Sequence, residues 1–253
     1  SPWVGSLNFQ FMYNNATFWL SLRNTLLYNA AFLVTGIICP MLLAIGLNEL
    51  LSKKLARTLQ TFVIMPHFVS YVVVSVIVFA LCSADNGMIA HLLDSIGSPR
   101  IAFYSKTKYW PWILNIIHIW KSTGYSSIIY MGALTGISDE YYEAAVIDGA
   151  TKWQQTRYIT IPFLIPMTVI LAILRVGGMF SSNFDLFYQV PLNSGQLYPV
   201  TNTIDVFVYN MLRTSNNVSL SSAAGFFQSL CGFILVVTVN WITRKIDPDL
   251  AMF

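Results

Sequence analysis

The sequence has 253 residues, of which 55% are hydrophobic, 15% aromatic and only 10% charged, and its net charge is +3. Soluble domains carry about 25% charged residues, so this composition excludes an ordinary soluble protein and predicts an all-α, polytopic membrane protein. The basic residues are scattered over loops, which argues against a nucleic-acid partner. Cys39, Cys82 and Cys231 lie in apolar runs without metal-ligand spacing. We expect them to be packed thiols and predict no metal site.

Five apolar runs are long enough to cross a bilayer, which takes about 20 residues. The predicted spans are residues 22–47, 61–81, 111–136, 161–181 and 224–243. Residues 1–20 mix aromatic and polar side chains, as expected for an extracytoplasmic segment at the membrane surface. The long polar loop 182–223 is predicted to carry a short helix around 205–212. Residues 246–253 form a predicted cytoplasmic tail.

A polar segment, YYEAAVIDGATKWQQTRYITIP, separates the third and fourth spans. We predict a short helix that begins at Ser138 or Asp139, because Ser138 can act as its N-cap and acidic residues suit the positive end of the helix dipole. Gly149 then favours a break or a close approach, since it has no Cβ. This helix–glycine–helix elbow, the 138–160 loop, has a shape suited to being bound by another protein.

The positive-inside rule places the 138–160 loop in the cytoplasm. The face that it shares with the 48–60 loop and the C-terminal tail carries seven basic residues: Lys53, Lys54, Arg57, Lys152, Arg157, Arg244 and Lys245. The opposite face carries five: Arg23, Arg100, Lys106, Lys108 and Arg213. Five spans then put the N-terminus outside. Because the chain starts at Ser1 rather than Met, we expect a further span upstream.

The spacing within the 138–160 loop resembles the cytoplasmic signature of permeases from binding-protein-dependent ABC importers. Glu143-Ala144-Ala145, Gly149 and Ile159-x-Ile161-Pro162 carry this resemblance, with Ile161 where the pattern usually has Leu. The segments NATFWLSLRNTLLYN, GGMFSSNFDLFY, TIDVFVYNMLR and VNWITRK are similar to the carbohydrate branch, in particular to polysaccharide and oligosaccharide importers. The resemblance implies a type I ABC importer transmembrane domain over residues 21–245. Such domains normally have six spans, so SPWVGSLNF would follow a missing first span.

The resemblance also implies how such a chain is driven. In this family the loop docks on a separate ATP-hydrolysing subunit, and the residues that would make the contact here are Glu143, Ala144, Ala145, Asp148 and Gly149. The chain has no G-x-x-x-x-G-K-[ST] phosphate loop and no catalytic motif. We therefore predict a non-catalytic subunit without a cofactor of its own, with ATP and Mg²⁺ bound by the partner ATPase.

The implied setting is the bacterial cytoplasmic membrane. The implied partners are a second permease of the same fold, a dimer of ATPase subunits, an extracytoplasmic solute-binding protein and an oligosaccharide substrate. Of the outer loops, 182–223 is the best candidate for contacting the solute-binding protein.

Polar residues of the third span form a candidate substrate path. At helical spacing they fall within an arc of about 120°; they are Asn115, His118, Lys121, Ser122 and Tyr125. Such residues usually face a bundle interior or a watered cavity, which favours a sugar-lined path. The alternative is that they hydrogen-bond to neighbouring helices.

Arg175, within the fourth span, requires a partner or a cavity because an unpaired arginine there is costly. It is predicted either to contact substrate or to form a structural ion pair with the other permease subunit, and Ser182 would lie seven residues later on the same face. Asn183, with its aromatic and polar neighbours, suits a carbohydrate site or a membrane interface.

Other functions remain open at this point. A permease for a non-sugar solute would share the same loop signature. A secondary transporter driven by an ion gradient would need acidic residues within its spans and often shows an inverted repeat. Neither feature is visible in this sequence.

Overall fold

The computed structural model describes residues 7–50, 52–215 and 218–247, and within these ranges the chain is helical with no β-strand. The helices before the 138–160 loop are α1 (Leu7–Asn14), α2 (Ala16–Asn48), α3 (Lys53–Phe68), α4 (Tyr71–Cys82), α5 (Met88–Ser95) and α6 (Trp110–Leu134). Those from the loop onward are α7 (Asp139–Ile147), α8 (Lys152–Gln155), α9 (Ile161–Gly177), α10 (Phe184–Gln189), α11 (Tyr198–Thr201), α12 (Ile204–Ser215) and α13 (Val218–Ile246). The start of the predicted 1–20 segment and nearly all of the predicted 246–253 tail lie outside the described residues.

Three helices in the described part of the chain are long and apolar enough to cross a membrane: Ala16–Asn48, Lys152–Gly177 and Val218–Lys245. The number rises to four if α3 and α4 are one broken span. Helix α6 has the length of a span, but polar side chains such as Lys121 lower its hydropathy. The chain is therefore a multi-pass membrane protein, and the predicted count of five spans stays a prediction.

The predicted span 61–81 covers two helices rather than one. Helix α3 ends at Phe68, and α4 begins at Tyr71. Ser70 caps α4, because its hydroxyl accepts a hydrogen bond from the backbone N–H of Val73 at 3.3 Å. An N-cap of this kind satisfies an amide that the first helical turn leaves without a partner.

The chain divides into two compact units, each with its own core. The first takes the described residues of 7–31, 69–117 and 177–235, and its core cluster contains Phe18, Leu22, Ile204, Phe207 and Leu220. The second takes those of 32–68, 118–176 and 236–247, and its cluster contains Ala44, Tyr130, Leu134, Ile137 and Leu164.

Asp205, in the first turn of α12, organises the loop that follows α9. Its carboxylate accepts hydrogen bonds from both the backbone N–H and the hydroxyl of Ser182, and from the side-chain amide of Gln228 at 3.3 Å. Helix α12 itself confirms the predicted loop helix around 205–212. The expected placement of Ser182 on the helix of Arg175 is wrong, because α9 ends at Gly177.

The loop between α4 and α6 is fixed by an ion pair at the protein surface. The guanidinium of Arg100 lies 2.7 Å from the carboxylate of Asp94, and also donates to the backbone carbonyl of Asp85 at 3.1 Å. This hydrogen-bonded arginine holds the pKa of the Asp94 carboxyl below its usual value. Because both side chains are exposed, we expect the pair to order the loop rather than to contribute much stability.

Candidate functional site

The 138–160 loop begins with the helix that the sequence predicts. Helix α7 starts at Asp139, and the Ser138 hydroxyl caps it by accepting a hydrogen bond from the backbone N–H of Glu140 at 3.4 Å. The helix ends before Gly149, which has a φ of +79°. Only glycine adopts this left-handed conformation at little cost, so Gly149 ends α7 as the predicted break.

The second half of the loop is continuous with a membrane-crossing helix. Thr151 and Gln154 form a capping box at the start of α8, which passes through a π-helical turn at 156–160 into α9. Pro162 has no N–H, and in a regular α-helix its ring would clash with the carbonyl four residues earlier. The wider π-helical turn lies at the position where this proline disfavours a regular helix. The Tyr142 hydroxyl is 3.0 Å from the hydroxyl of Thr160, in that turn. A force on the loop would therefore act directly on α9.

The loop exposes apolar side chains that its sequence did not single out. Ile147 is 86% exposed, Trp153 69% and Val146 60%. Surface-exposed apolar groups of this size mark interaction sites when they cluster. Val146 and Ile147 also line a groove of about 400 Å³ together with Glu143. Val146 and Ile147 are adjacent residues at the end of a short helix. Such a helix is too short for an apolar pattern to predict which of its side chains stay exposed.

The predicted ATPase-contact residues lie on this surface. Glu143, Ala144 and Asp148 are exposed, whereas Ala145 is half-buried. Lys152, which also lines the groove, has its amine 3.8 Å from the carboxylate of Glu49, the residue that follows α2. A carboxylate, small residues and exposed apolar groups on one elbow suit docking to a protein surface.

Lys121 of the candidate substrate path packs against the end of α3. It is only 6% exposed, and its amine donates to the backbone carbonyls of Pro66 at 2.9 Å and His67 at 3.2 Å. The ring of Tyr125 stacks on that of His67 at a centroid distance of 4.2 Å. Lys121 and Tyr125 therefore contact a neighbouring helix, as the alternative to a sugar-lined path predicts. Their contact with substrate stays a prediction.

His118 and Ser122 are also engaged within the second unit. The imidazole of His118 stacks on Phe32 with a centroid distance of 3.8 Å and an interplanar angle of 10°. The Ser122 hydroxyl donates to the His118 carbonyl at 2.7 Å, a bond within α6 itself. Stacking of this closeness fixes the imidazole against α2.

Arg175 lies against a glycine of α2. Its guanidinium donates to the Ser126 hydroxyl at 3.3 Å and occupies the space where a Cβ on Gly36 would stand. A residue with any side chain at position 36 would therefore displace the guanidinium. Within this chain the partner of the guanidinium is the Ser126 hydroxyl, and a contact of Arg175 with substrate or with a second permease stays a prediction.

The two asparagines of the predicted path belong to the first unit. Asn115 donates to the Pro111 carbonyl at 2.7 Å and lines a cavity of about 280 Å³ with Arg23 and Tyr28. Asn183 caps α10 and donates to the Tyr71 hydroxyl at 3.0 Å. Asn115 makes its contacts within the first unit, and His118, Lys121 and Tyr125 make theirs within the second. A sugar-lined path along α6 stays a prediction.

The chain belongs to the family of binding-protein-dependent transport system inner membrane components, which it matches over residues 36–251. This family comprises the membrane permease components of ABC transporters. The structure and the match confirm the predicted helical class and the type I importer fold.

Two curated relatives come from Bacillus subtilis strain 168, and each is 34% identical over 249 residues. Protein LplB covers 98% of this chain and is itself covered to 78%. The match to the polygalacturonan/rhamnogalacturonan transport system permease protein YteP covers 98% of this chain and 77% of YteP. Among solved structures, a bacterial ABC transporter involved in the import of the acidic polysaccharide alginate superposes with a TM-score of 0.92 at 30% identity, over 98% of this chain and 86% of the other.

Proposed function

We propose that this chain is one membrane subunit of an ATP-driven importer that moves oligosaccharides into a bacterial cell. The observation that carries the proposal is the 138–160 loop, an exposed elbow whose second half runs without interruption into α9. An element of this kind can convert movement of a docked partner into movement of a membrane helix. The chain's membership of a transport family sets the context in which that movement serves transport.

The docked partner in this proposal is a separate ATPase that binds ATP and Mg²⁺. Exposed Ile147 and Val146 would enter an apolar cleft, and Glu143 would pair with a basic or hydrogen-bonding group beside it. Buried apolar anchors beside a charge pair are typical of interfaces with concentrated binding energy. The loop would lie on the cytoplasmic side of the cytoplasmic membrane, in agreement with the basic residues near it.

The substrate class in this proposal rests on the relatives. Besides those above, the lactose transport system permease LacF of Rhizobium radiobacter is 30% identical over 82% of this chain. The names of LacF, of YteP and of the alginate importer concern sugars, which favours a carbohydrate over another solute here. A second permease of the same fold and a solute-binding protein complete the proposed assembly, with the loop 182–223 facing the binding protein.

Reconstitution of the complete complex in lipid nanodiscs tests the proposal. The chain would be purified with its co-assembled subunits, and ATP hydrolysis would be measured with the loaded solute-binding protein. Oligosaccharides of two to six units should stimulate hydrolysis, whereas amino acids and short peptides should not. Stimulation by a non-sugar solute alone would overturn the substrate class, and uptake driven by an ion gradient without ATP would overturn the mechanism.

A further inference from the structure

Three aromatic rings gather where α10 meets α12 in the first unit. Phe184 and Tyr188 are stacked with a centroid distance of 4.9 Å and an interplanar angle of 19°. The ring of Tyr209 lies 4.9 Å from Phe184 and 5.0 Å from Tyr188, at angles of 57° and 75°. We name this cluster (Phe184, Tyr188 and Tyr209) the aromatic platform. Its rings contact one another and are carried by two helices.

The platform has an exposed edge with a cation beside it. Tyr209 is 38% exposed, and Arg213 is also exposed. Arg213 donates from its guanidinium to the Tyr188 hydroxyl at 3.1 Å. A guanidinium has five N–H donors, and this bond uses one of them. No carboxylate in the described part of the chain lies within ion-pair distance of Arg213.

Helix α12 has one face in the core of the first unit and another face outside it, and the outer face carries this edge. Ile204 and Phe207 lie in the core of the first unit. Tyr209 and Arg213 are four residues apart, so they lie on one helical face outside that core. The contact with Tyr188 restrains the guanidinium beside the rings. The fold therefore places a hydrogen-bonded cation at the edge of an aromatic surface.

We propose that the aromatic platform and Arg213 form an entry subsite for a uronic-acid unit of the transported oligosaccharide. The apolar C–H face of the pyranose ring would pack on Tyr209, and the sugar carboxylate would accept hydrogen bonds from Arg213. Arginine suits this role since its planar fork matches a carboxylate. The proposal rests on the proposed function and specifies the charge of its substrate. The names of the alginate importer and of the polygalacturonan permease concern acidic sugar chains, which supports this class.

The test compares an acidic and a neutral probe of equal length in proteoliposomes that contain the complete complex. The probes are trigalacturonate and maltotriose, each supplied with the solute-binding protein. Arg213→Gln should lower ATP-driven trigalacturonate uptake about tenfold at limiting substrate, since a charge-assisted hydrogen bond is lost. Arg213→Lys should recover part of the uptake. Tyr209→Phe should retain it, because the ring remains, whereas Tyr209→Ala should lose it.

Matched controls come from the same unit. Lys108→Gln removes another exposed cation, and Trp112→Ala removes an aromatic side chain that is 73% exposed. Neither should change the ratio of uptake between the two probes. An unchanged trigalacturonate uptake in Arg213→Gln would overturn the subsite. So would an equal loss for every loaded form of the binding protein, which would indicate a docking surface for that protein. If wild type imports maltotriose alone, the uronate subsite fails while the proposed function stands; if it imports no oligosaccharide, the proposed function fails.

Discussion

The amine of Lys121 donates a hydrogen bond to the backbone carbonyl of Pro66 at 2.9 Å, so a buried charge in α6 caps the C-terminal end of α3. The last carbonyls of a helix have no partner within it, and the negative end of the helix dipole attracts a cation. Lys121 meets both requirements, because its amine donates to these carbonyls and its charge lies at the negative end of the dipole. The break before α4 is therefore stabilised by a residue 55 positions further along the chain.

We predict that Lys121→Met destabilises the protein. The substitution keeps the length of the side chain but leaves the carbonyls of Pro66 and His67 without this donor, which should cost about 1–3 kcal/mol. Thermal unfolding of the purified protein in detergent micelles would measure the loss. An unchanged unfolding temperature would show that the capping contact contributes nothing, and would return Lys121 to the substrate path as its main role.

A second prediction concerns the close approach of α6 to α3. A Cβ on Gly124 would collide with the backbone carbonyl of Val63, which cannot rotate away as a side chain could. Gly124→Ala should therefore lower stability by about 1–3 kcal/mol through overpacking. Gly132→Ala, in the same helix, is the control, because a Cβ there meets no described atom within 4 Å. Equal unfolding temperatures for the two variants would contradict the packing.

The contact between Gly36 and Arg175 predicts non-additive effects. Gly36→Ala should destabilise the wild type modestly, because its Cβ displaces the flexible end of the Arg175 side chain from the Ser126 hydroxyl. It should do so much less in an Arg175→Gln background, where the colliding atoms are absent. We expect a coupling free energy of about 0.5–3 kcal/mol from a double-mutant cycle on thermal unfolding. Gly46→Ala in the same helix serves as the control, and additive effects would exclude the contact.

Gly149 should tolerate few residues on account of its backbone conformation. Gly149→Val places a β-branched residue at a φ of +79°, at a cost of roughly 1–2 kcal/mol or more. We expect ATP-driven uptake to be lost while the protein still inserts into the membrane. Gly149→Asn should retain more uptake, since asparagine enters this region more readily. Uptake per inserted molecule is the measurement, and a fully active valine variant would argue against a conformational role.

Local signals in the sequence predicted the elements that depend on neighbouring residues. Ser138 and Gly149 bound α7 as expected, because a cap and a left-handed glycine act within one turn. The helix α12 was predicted from its own residues as well. These features need no knowledge of distant parts of the chain.

Features that depend on distant contacts could not be predicted. The break at Ser70 lies in a continuous apolar run, and the capping amine comes from Lys121. The polar face of α6 indicated that its residues have partners, but not which helix supplies each one. Exposure of Ile147 is equally invisible in a sequence, because it depends on what the folded chain leaves uncovered.

The measurement that tests the account most directly is ATP-driven oligosaccharide uptake by the reconstituted complex that carries Glu143→Ala. Glu140→Ala, on the same exposed helix but outside the groove, is the matched control. If energy enters through the 138–160 loop, the Glu143 variant should lose at least about tenfold in uptake, which corresponds to about 1.4 kcal/mol of coupling. The Glu140 variant should transport as the wild type does. Wild-type uptake by Glu143→Ala, or an equal loss in both variants, would contradict the assignment of this groove as the site of energy input.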